Sequence, residues 1–168
     1  MTKNKICFLL VFIFGASSFF YSLFAQYYQN IEPCPLCLLQ RLTVFIITIF
    51  SLIFMLHNPK NLLIKVYSLI IISFSLFGIK VAYQHLHLIS LPENQQPQSC
   101  GLPLNIVFNK LPFLKFINYI LQGDAECSKI NWTIFGIIAP QAFLILCTIF
   151  ILLMLLVIFS KIKNKHNY

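Results

Sequence analysis

Four apolar runs, each of the length that crosses a bilayer as a helix, constrain this 168-residue chain more than any other feature. They cover roughly 6–25, 38–56, 62–81 and 134–159, and about 20 mainly apolar residues suffice to span about 30 Å of hydrocarbon. Composition agrees. Hydrophobic residues make up 59% and charged residues 10%, against roughly 45–50% and 25% in soluble domains. A water-soluble globule has no place to bury that much apolar surface, which excludes a soluble enzyme, a disordered chain and a coiled coil. The eighteen Phe and seven Tyr suit a lipid-facing surface. The first run begins like a secretory leader, with Lys3 and Lys5 before it and Gly15-Ala16-Ser17-Ser18 within it. It then continues through Phe19, Phe20, Tyr21, Leu23 and Phe24, beyond the roughly 7–15 residues of a cleavable core. An uncleaved first span is expected. The expected fold is all-α: one membrane domain over 1–168, an up-down four-helix bundle with short connections.

The net charge of +8 would point to nucleic acid only if the bases formed one solvated patch. They are distributed as topology demands instead. With four spans, both termini and the 57–61 connection share a side, which carries Lys3, Lys5, Lys60, Lys65, Lys161, Lys163 and Lys165 with no acid. The opposite side carries Arg41, Lys80, Lys110, Lys115 and Lys129, nearly balanced by Glu32, Glu93, Asp124 and Glu126. Basic residues in short loops stay cytoplasmic. Both termini are therefore expected in the cytoplasm, and no nucleic-acid partner is implied.

The two loops on the far side, 26–37 and 84–133, are unequal. The long one opens with the polar stretch Leu91-Pro92-Glu93-Asn94-Gln95-Gln96-Pro97-Gln98. Within 111–122, Lys115, Asn118 and Gln122 fall on one helical face among Leu, Phe, Ile and Tyr, which predicts a short helix lying along the membrane surface.

Six cysteines divide by depth. Cys7 and Cys147 fall inside spans one and four, where cysteine usually serves as a small buried hydrophobe. Cys34, Cys37, Cys100 and Cys127 all fall in the far-side loops. In an oxidising compartment, an even set of loop cysteines suggests disulfides. The first pair lies in Glu32-Pro33-Cys34-Pro35-Leu36-Cys37, at the entrance to span two. A helix N-terminus favours thiolate through its free N–H groups and its dipole, and the prolines suit a helix start, where a missing N–H costs little. Arg41 follows Cys37 by four residues and so shares its helix face. A cation inside the membrane boundary is expensive and marks function by default. These residues admit three readings: two disulfides able to exchange, a pair of structural disulfides, or a four-cysteine zinc site. Against zinc, neither Cys100 nor Cys127 has the close partner that structural zinc sites usually show. His85 and His87 lie just past the expected end of span three and suit polar anchors.

Taken in order, Pro33-Cys34-Pro35-Leu36-Cys37-Leu38-Leu39-Gln40-Arg41, Tyr83-Gln84-His85, Cys100, Cys127, Trp132-Thr133-Ile134-Phe135-Gly136 and Pro140-Gln141 resemble the disulfide bond formation protein B (DsbB) family of bacterial inner-membrane quinone reductases. The resemblance covers nearly the whole chain. One departure is Ala142-Phe143, where the family often has Trp after Pro-Gln. The resemblance implies disulfides Cys34–Cys37 and Cys100–Cys127, with the second meeting a periplasmic thioredoxin-like oxidase of the DsbA type. It further implies that Cys37 faces ubiquinone or menaquinone from the membrane pool, with Arg41 beside the quinone oxygen and His85 assisting, and no metal.

Overall fold

In a computed structural model of the chain, the described residues are 3–29, 33–57, 59, 61–92, 95, 112, 115, 120–123, 125–128, 133–134 and 136–165. Four long helices dominate them: α1 (Lys3–Tyr28), α2 (Pro35–His57), α3 (Asn61–Ser90) and α5 (Ala139–Lys165). Between α3 and α5 come a single helical turn, α4 (Ala125–Ser128), and a two-residue antiparallel pairing of β1 (Thr133–Ile134) with β2 (Ile137–Ile138). All four long helices are long and apolar enough to cross a membrane. Leu56, Leu62, Phe20, Leu156 and Phe159 each leave well over half their surface exposed, as an exterior solvated by lipid requires.

The helices pack in a ring: α1 on α2, α2 on α3, α3 on α5, and α5 back onto α1. The core is layered along the bundle. At one end Phe8, Val11, Ile47, Phe54, Ile64, Ile71, Phe150, Met154 and Val157 close together. There the Phe8 and Phe54 rings stack at 3.5 Å between centroids, and Tyr67 meets Phe54 edge-on at 5.8 Å. Buried Ser51 Oγ donates to the Phe8 carbonyl at 2.9 Å, tying α2 to α1 where water cannot compete. A middle layer joins Val44, Ala82, Phe143 and Cys147, so Phe143 fills the core beside the expected departure at Ala142. The third layer, Cys34, Leu36, Val81, Leu88 and Cys127, lies at the opposite end from the termini, which approach each other through Ser160 and Asn4.

Two boundaries differ from expectation. Helix α3 does not stop at Val81 but runs to Ser90. Its 30 residues measure about 45 Å, well beyond the hydrocarbon thickness. Lys80, Gln84 and His85 limit how far the span stays apolar, but they do not break a helix. The stop is Pro92, which disfavours helical backbone at Leu91, and Ser90 Oγ caps the end by donating to the His87 carbonyl at 2.8 Å. Helix α5 starts at Ala139 rather than Ile134, because Gly136 adopts φ +82° and turns the chain back in a hairpin. Pro140 then occupies the first helical turn, where proline is tolerated. The expected surface helix over 111–122 lies mostly outside the described residues; of it, Lys115 and 120–122 are helical.

Candidate functional site

The start of α2 is built by its two cysteines. The Leu38 N–H donates to the Cys34 carbonyl at 3.1 Å, which makes Cys34 the N-cap, Pro35 the first helical residue and Cys37 the third. The two-residue spacing of Cys-X-X-Cys thus places both sulfurs in the first turn of α2, beside the backbone N–H groups that a helix start leaves without intrahelical partners.

Three elements converge on this cap. From α3, His85, only 4% exposed, points Nε2 at Cys34 Sγ across 3.9 Å. Its Nδ1 lies 3.4 Å from the side-chain amide of Gln40, a buried residue one turn into α2. From α4, Cys127 is fully buried and packs in one layer with Cys34. The sulfurs of Cys34 and Cys37 and a ring nitrogen of His85 all lie within 4.8 Å of one another. Cys127 reaches the site because Gly123, at φ +73°, turns the chain where a Cβ would meet Leu88 and Leu36 side chains at 2.7 and 3.0 Å.

Cys34 and Cys37 both stand as thiols. Hydrogen bonding with Cys127 favours ionisation of Cys34, but its hydrogen bond with Cys37, its burial and the charge of Cys37 together outweigh that. The Cys34 thiol is pushed up to about 12, so at neutral pH it keeps its proton.

Arg41 leaves this cluster sideways, toward α1. Its Nη1 donates to Gln26 Oε1 and its Nη2 to the Ser22 carbonyl at 3.0 Å. The guanidinium charge lies within electrostatic reach of Cys37. Its buried Nε has no hydrogen-bond partner among the described residues. A buried donor left unpaired costs free energy.

Of the residues singled out from sequence, the structure brings together Cys34, Cys37, Cys127 and His85, with Arg41 one turn away. Cys100 and Trp132 lie outside the described residues. His87 is exposed, and Tyr83, at 69% exposure, points outward. Lys80 and Gln84, one turn apart, face a cleft of about 230 Å³ shared with Leu36, Val81, Leu121 and Gln122. Sequence reasoning missed Gln40 as the buried partner of His85, and Ser22 and Gln26 as the clamp on Arg41. The only signal for them was a polar residue at helical spacing from the Cys-X-X-Cys or at the far end of span one.

Comparison with known proteins identifies the family of the chain. Residues 4–157 match the family described as Disulfide bond formation protein DsbB. The disulfide bond formation protein B of a Psychrobacter species is 34% identical over 169 residues, covering 98% of this chain and 96% of that protein. Its counterpart in Methylococcus capsulatus is 33% identical over 147 residues, 88% of each, and that of Nitrosococcus oceani is 38% identical over 115 residues, 68% of each. A four-helix apolar bundle that gathers Cys34, Cys37 and Cys127 at one end, matched over nearly its whole length, belongs to the DsbB family of disulfide bond formation proteins.

Proposed function

We propose that the protein is a protein-disulfide:quinone oxidoreductase of the bacterial inner membrane, which reoxidises a periplasmic thioredoxin-like oxidase of the DsbA type. Both termini would face the cytoplasm and the cysteine loops the periplasm, as the distribution of lysines requires. The observation that carries the reading is the contact of Cys127, from the long loop, with Cys34 of the Cys-X-X-Cys. A loop cysteine packed against the Cys-X-X-Cys is arranged for exchange rather than for bracing separate parts of the chain.

The steps balance as thiol–disulfide exchange. A thiolate of the reduced partner attacks Cys100 of a Cys100–Cys127 disulfide. The partner's second thiol then displaces Cys100 and leaves as a disulfide, with Cys100 and Cys127 reduced. Cys127, beside Cys34, attacks there and opens the Cys34–Cys37 disulfide, releasing Cys37 as thiolate. Cys100 next displaces Cys34 from Cys127, which restores the loop disulfide and leaves Cys34 and Cys37 reduced. Two electrons and two protons must then leave that pair. The DsbA-type partner sits at about −120 mV, so the acceptor must be more oxidising than ordinary protein disulfides.

Ubiquinone or menaquinone supplies that chemistry by accepting two electrons and two protons. The residues present fit one: the unpaired, buried Arg41 Nε offers a donor for a quinone oxygen, and Gln26 and Ser22 hold the guanidinium plane in place. The Arg41 charge favours negative charge on Cys37 and on an oxygen bound beside it. His85, between Cys34 and Gln40, is placed to take the Cys34 proton as the pair closes again.

The test is quinone reduction by the detergent-purified protein, with a reduced DsbA-type partner as donor, followed by quinone absorbance. Wild type should turn over, and Cys37→Ser should fall to the background rate. Absence of turnover with both ubiquinone and menaquinone, from protein shown to be folded, would remove the reading.

A further inference from the structure

We propose that the reduced site is also a binding site for a thiophilic divalent cation of the zinc class, held by Cys34, Cys37 and His85, and that occupancy locks the relay in its reduced form. The metal-binding part stands on geometry alone; the locking part rests on the function proposed above.

Tetrahedral zinc sites with Zn–S near 2.3 Å and Zn–N near 2.0–2.1 Å place neighbouring donor atoms about 3.5–3.8 Å apart. Cys34 Sγ and His85 Nε2 already stand at 3.9 Å, and three donors lie within 4.8 Å. The set is therefore two sulfurs and one imidazole, a donor combination that zinc uses when it keeps its fourth position open to water or another ligand. It differs from a site built on the four loop cysteines, because a histidine from α3 takes the place of the loop pair Cys100 and Cys127.

The outer shell is in place as well. Metal-bound histidines almost always hold their second ring nitrogen with a hydrogen-bonding group. Here that group is buried Gln40, 3.4 Å from His85 Nδ1, whose side-chain oxygen can accept the Nδ1 proton once the amide is turned. Two thiolates balance a divalent cation, and the Arg41 guanidinium lies within electrostatic reach of Cys37 to favour its thiolate. Binding converts two thiols to thiolates and releases two protons. A disulfide has no thiolate to give, so the site exists only after the Cys34–Cys37 pair has been reduced. A bound cation occupies the same sulfur electrons that must pass to the acceptor.

The test is anaerobic titration of the reduced, detergent-purified full chain with Co²⁺, followed by displacement with Zn²⁺. Wild type should develop near-ultraviolet thiolate charge-transfer absorption and intense visible bands of tetrahedral cobalt, lost on adding zinc. Protein oxidised with diamide should show neither. His85→Gln and Cys34→Ser should each weaken binding about tenfold or more, as even outer-shell changes do at such sites, while Cys7→Ser, at the other end of the bundle, should bind as wild type. Where a variant fails to fold, X-ray absorption of zinc-loaded wild type should read two sulfurs and one nitrogen. Cobalt bands in oxidised protein, unchanged affinity in both variants, or a shell of two sulfurs without nitrogen would each overturn the site. Zinc should also slow reoxidation of the reduced pair by quinone, with recovery on chelation; uninhibited reoxidation at saturating zinc would overturn the locking. Because cobalt binding is read without quinone or partner, an inactive protein that still binds cobalt would sink the oxidoreductase reading and not the site. An active protein that binds none would do the reverse.

Discussion

At the end of the bundle that holds the termini, Phe8 stacks on Phe54, Tyr67 meets Phe54 edge-on, and one buried serine joins two helices. At the other end Cys34, Cys37, Cys127, His85, Gln40 and Arg41 come together, and one guanidinium N–H has no partner among the described residues. In lipid there is no water to expel, so helices associate by packing and by interhelical hydrogen bonds. The first end meets that requirement mainly with rings and branched chains. The second relies on polar contacts and carries the buried Arg41 Nε without a partner among the described residues. Stability and chemistry are thus divided along the bundle axis, and changes at the two ends should have separable effects.

The largest effect should follow from Cys127→Ser. It should drop partner-driven turnover to background, while the Cys34–Cys37 pair stays oxidisable by quinone and the thermal unfolding midpoint of the detergent-solubilised protein stays near wild type. A large fall in that midpoint would mean the cysteine end is a structural layer, and the division would fail. Phe54→Ala should do the opposite. Truncating a buried phenylalanine costs roughly 3–5 kcal/mol in soluble cores, and without a water-transfer component about 2–3 kcal/mol is expected here. That should be visible as a lowered unfolding midpoint with the apparent KM for quinone unchanged.

Arg41→Gln is a finer probe. Losing one charge-assisted hydrogen bond costs about 1.5–3 kcal/mol, so the apparent KM for quinone should rise about tenfold or more while exchange with the partner persists. Unchanged quinone kinetics would strip Arg41 of its role and leave it a clamp on Ser22 and Gln26. The smallest effect concerns pH. The Cys34 thiol lies well above its ordinary 9.0, at about 12, so the folded reduced protein holds this proton more tightly than the unfolded chain does. The resulting stability is fully present below about 9 and is lost as pH rises toward about 12. By pH 10 the loss should be about 1 kcal/mol, since one pKa unit is worth about 1.4 kcal/mol. Reduced wild type should therefore lose stability more steeply than Cys34→Ala between pH 9 and pH 10, and parallel curves would show that Cys34 is not held as a thiol.

Much of this was legible in the chain itself. The helix start at Pro35 follows from two prolines flanking a cysteine, and the proximity of Arg41 to Cys37 follows from four-residue spacing. The end of α3 was also written there, in Pro92, but a span boundary read from polarity is not a helix boundary read from backbone chemistry. Lys80 and His85 end the apolar stretch without ending the hydrogen-bonded ladder. The run 134–138 was ambiguous for a different reason. A short apolar segment has no periodicity to separate strand from helix, and the turn at Gly136 decided it.

What the sequence determined by itself is the material: four bilayer-length apolar helices, a bias of lysines toward one side, and cysteines confined to the other. These follow from local rules of length, charge and spacing that operate along the chain. Tertiary structure alone decided that His85, fifty-one residues from Cys34, turns its ring onto that sulfur. It likewise decided that Cys127 is brought against the same sulfur by the turn at Gly123, and that Arg41 spends its Nη groups on α1 while keeping Nε unpaired. Those are meetings between separate helices, set by which faces the ring of four brings together, and no local pattern encodes a distance across the bundle.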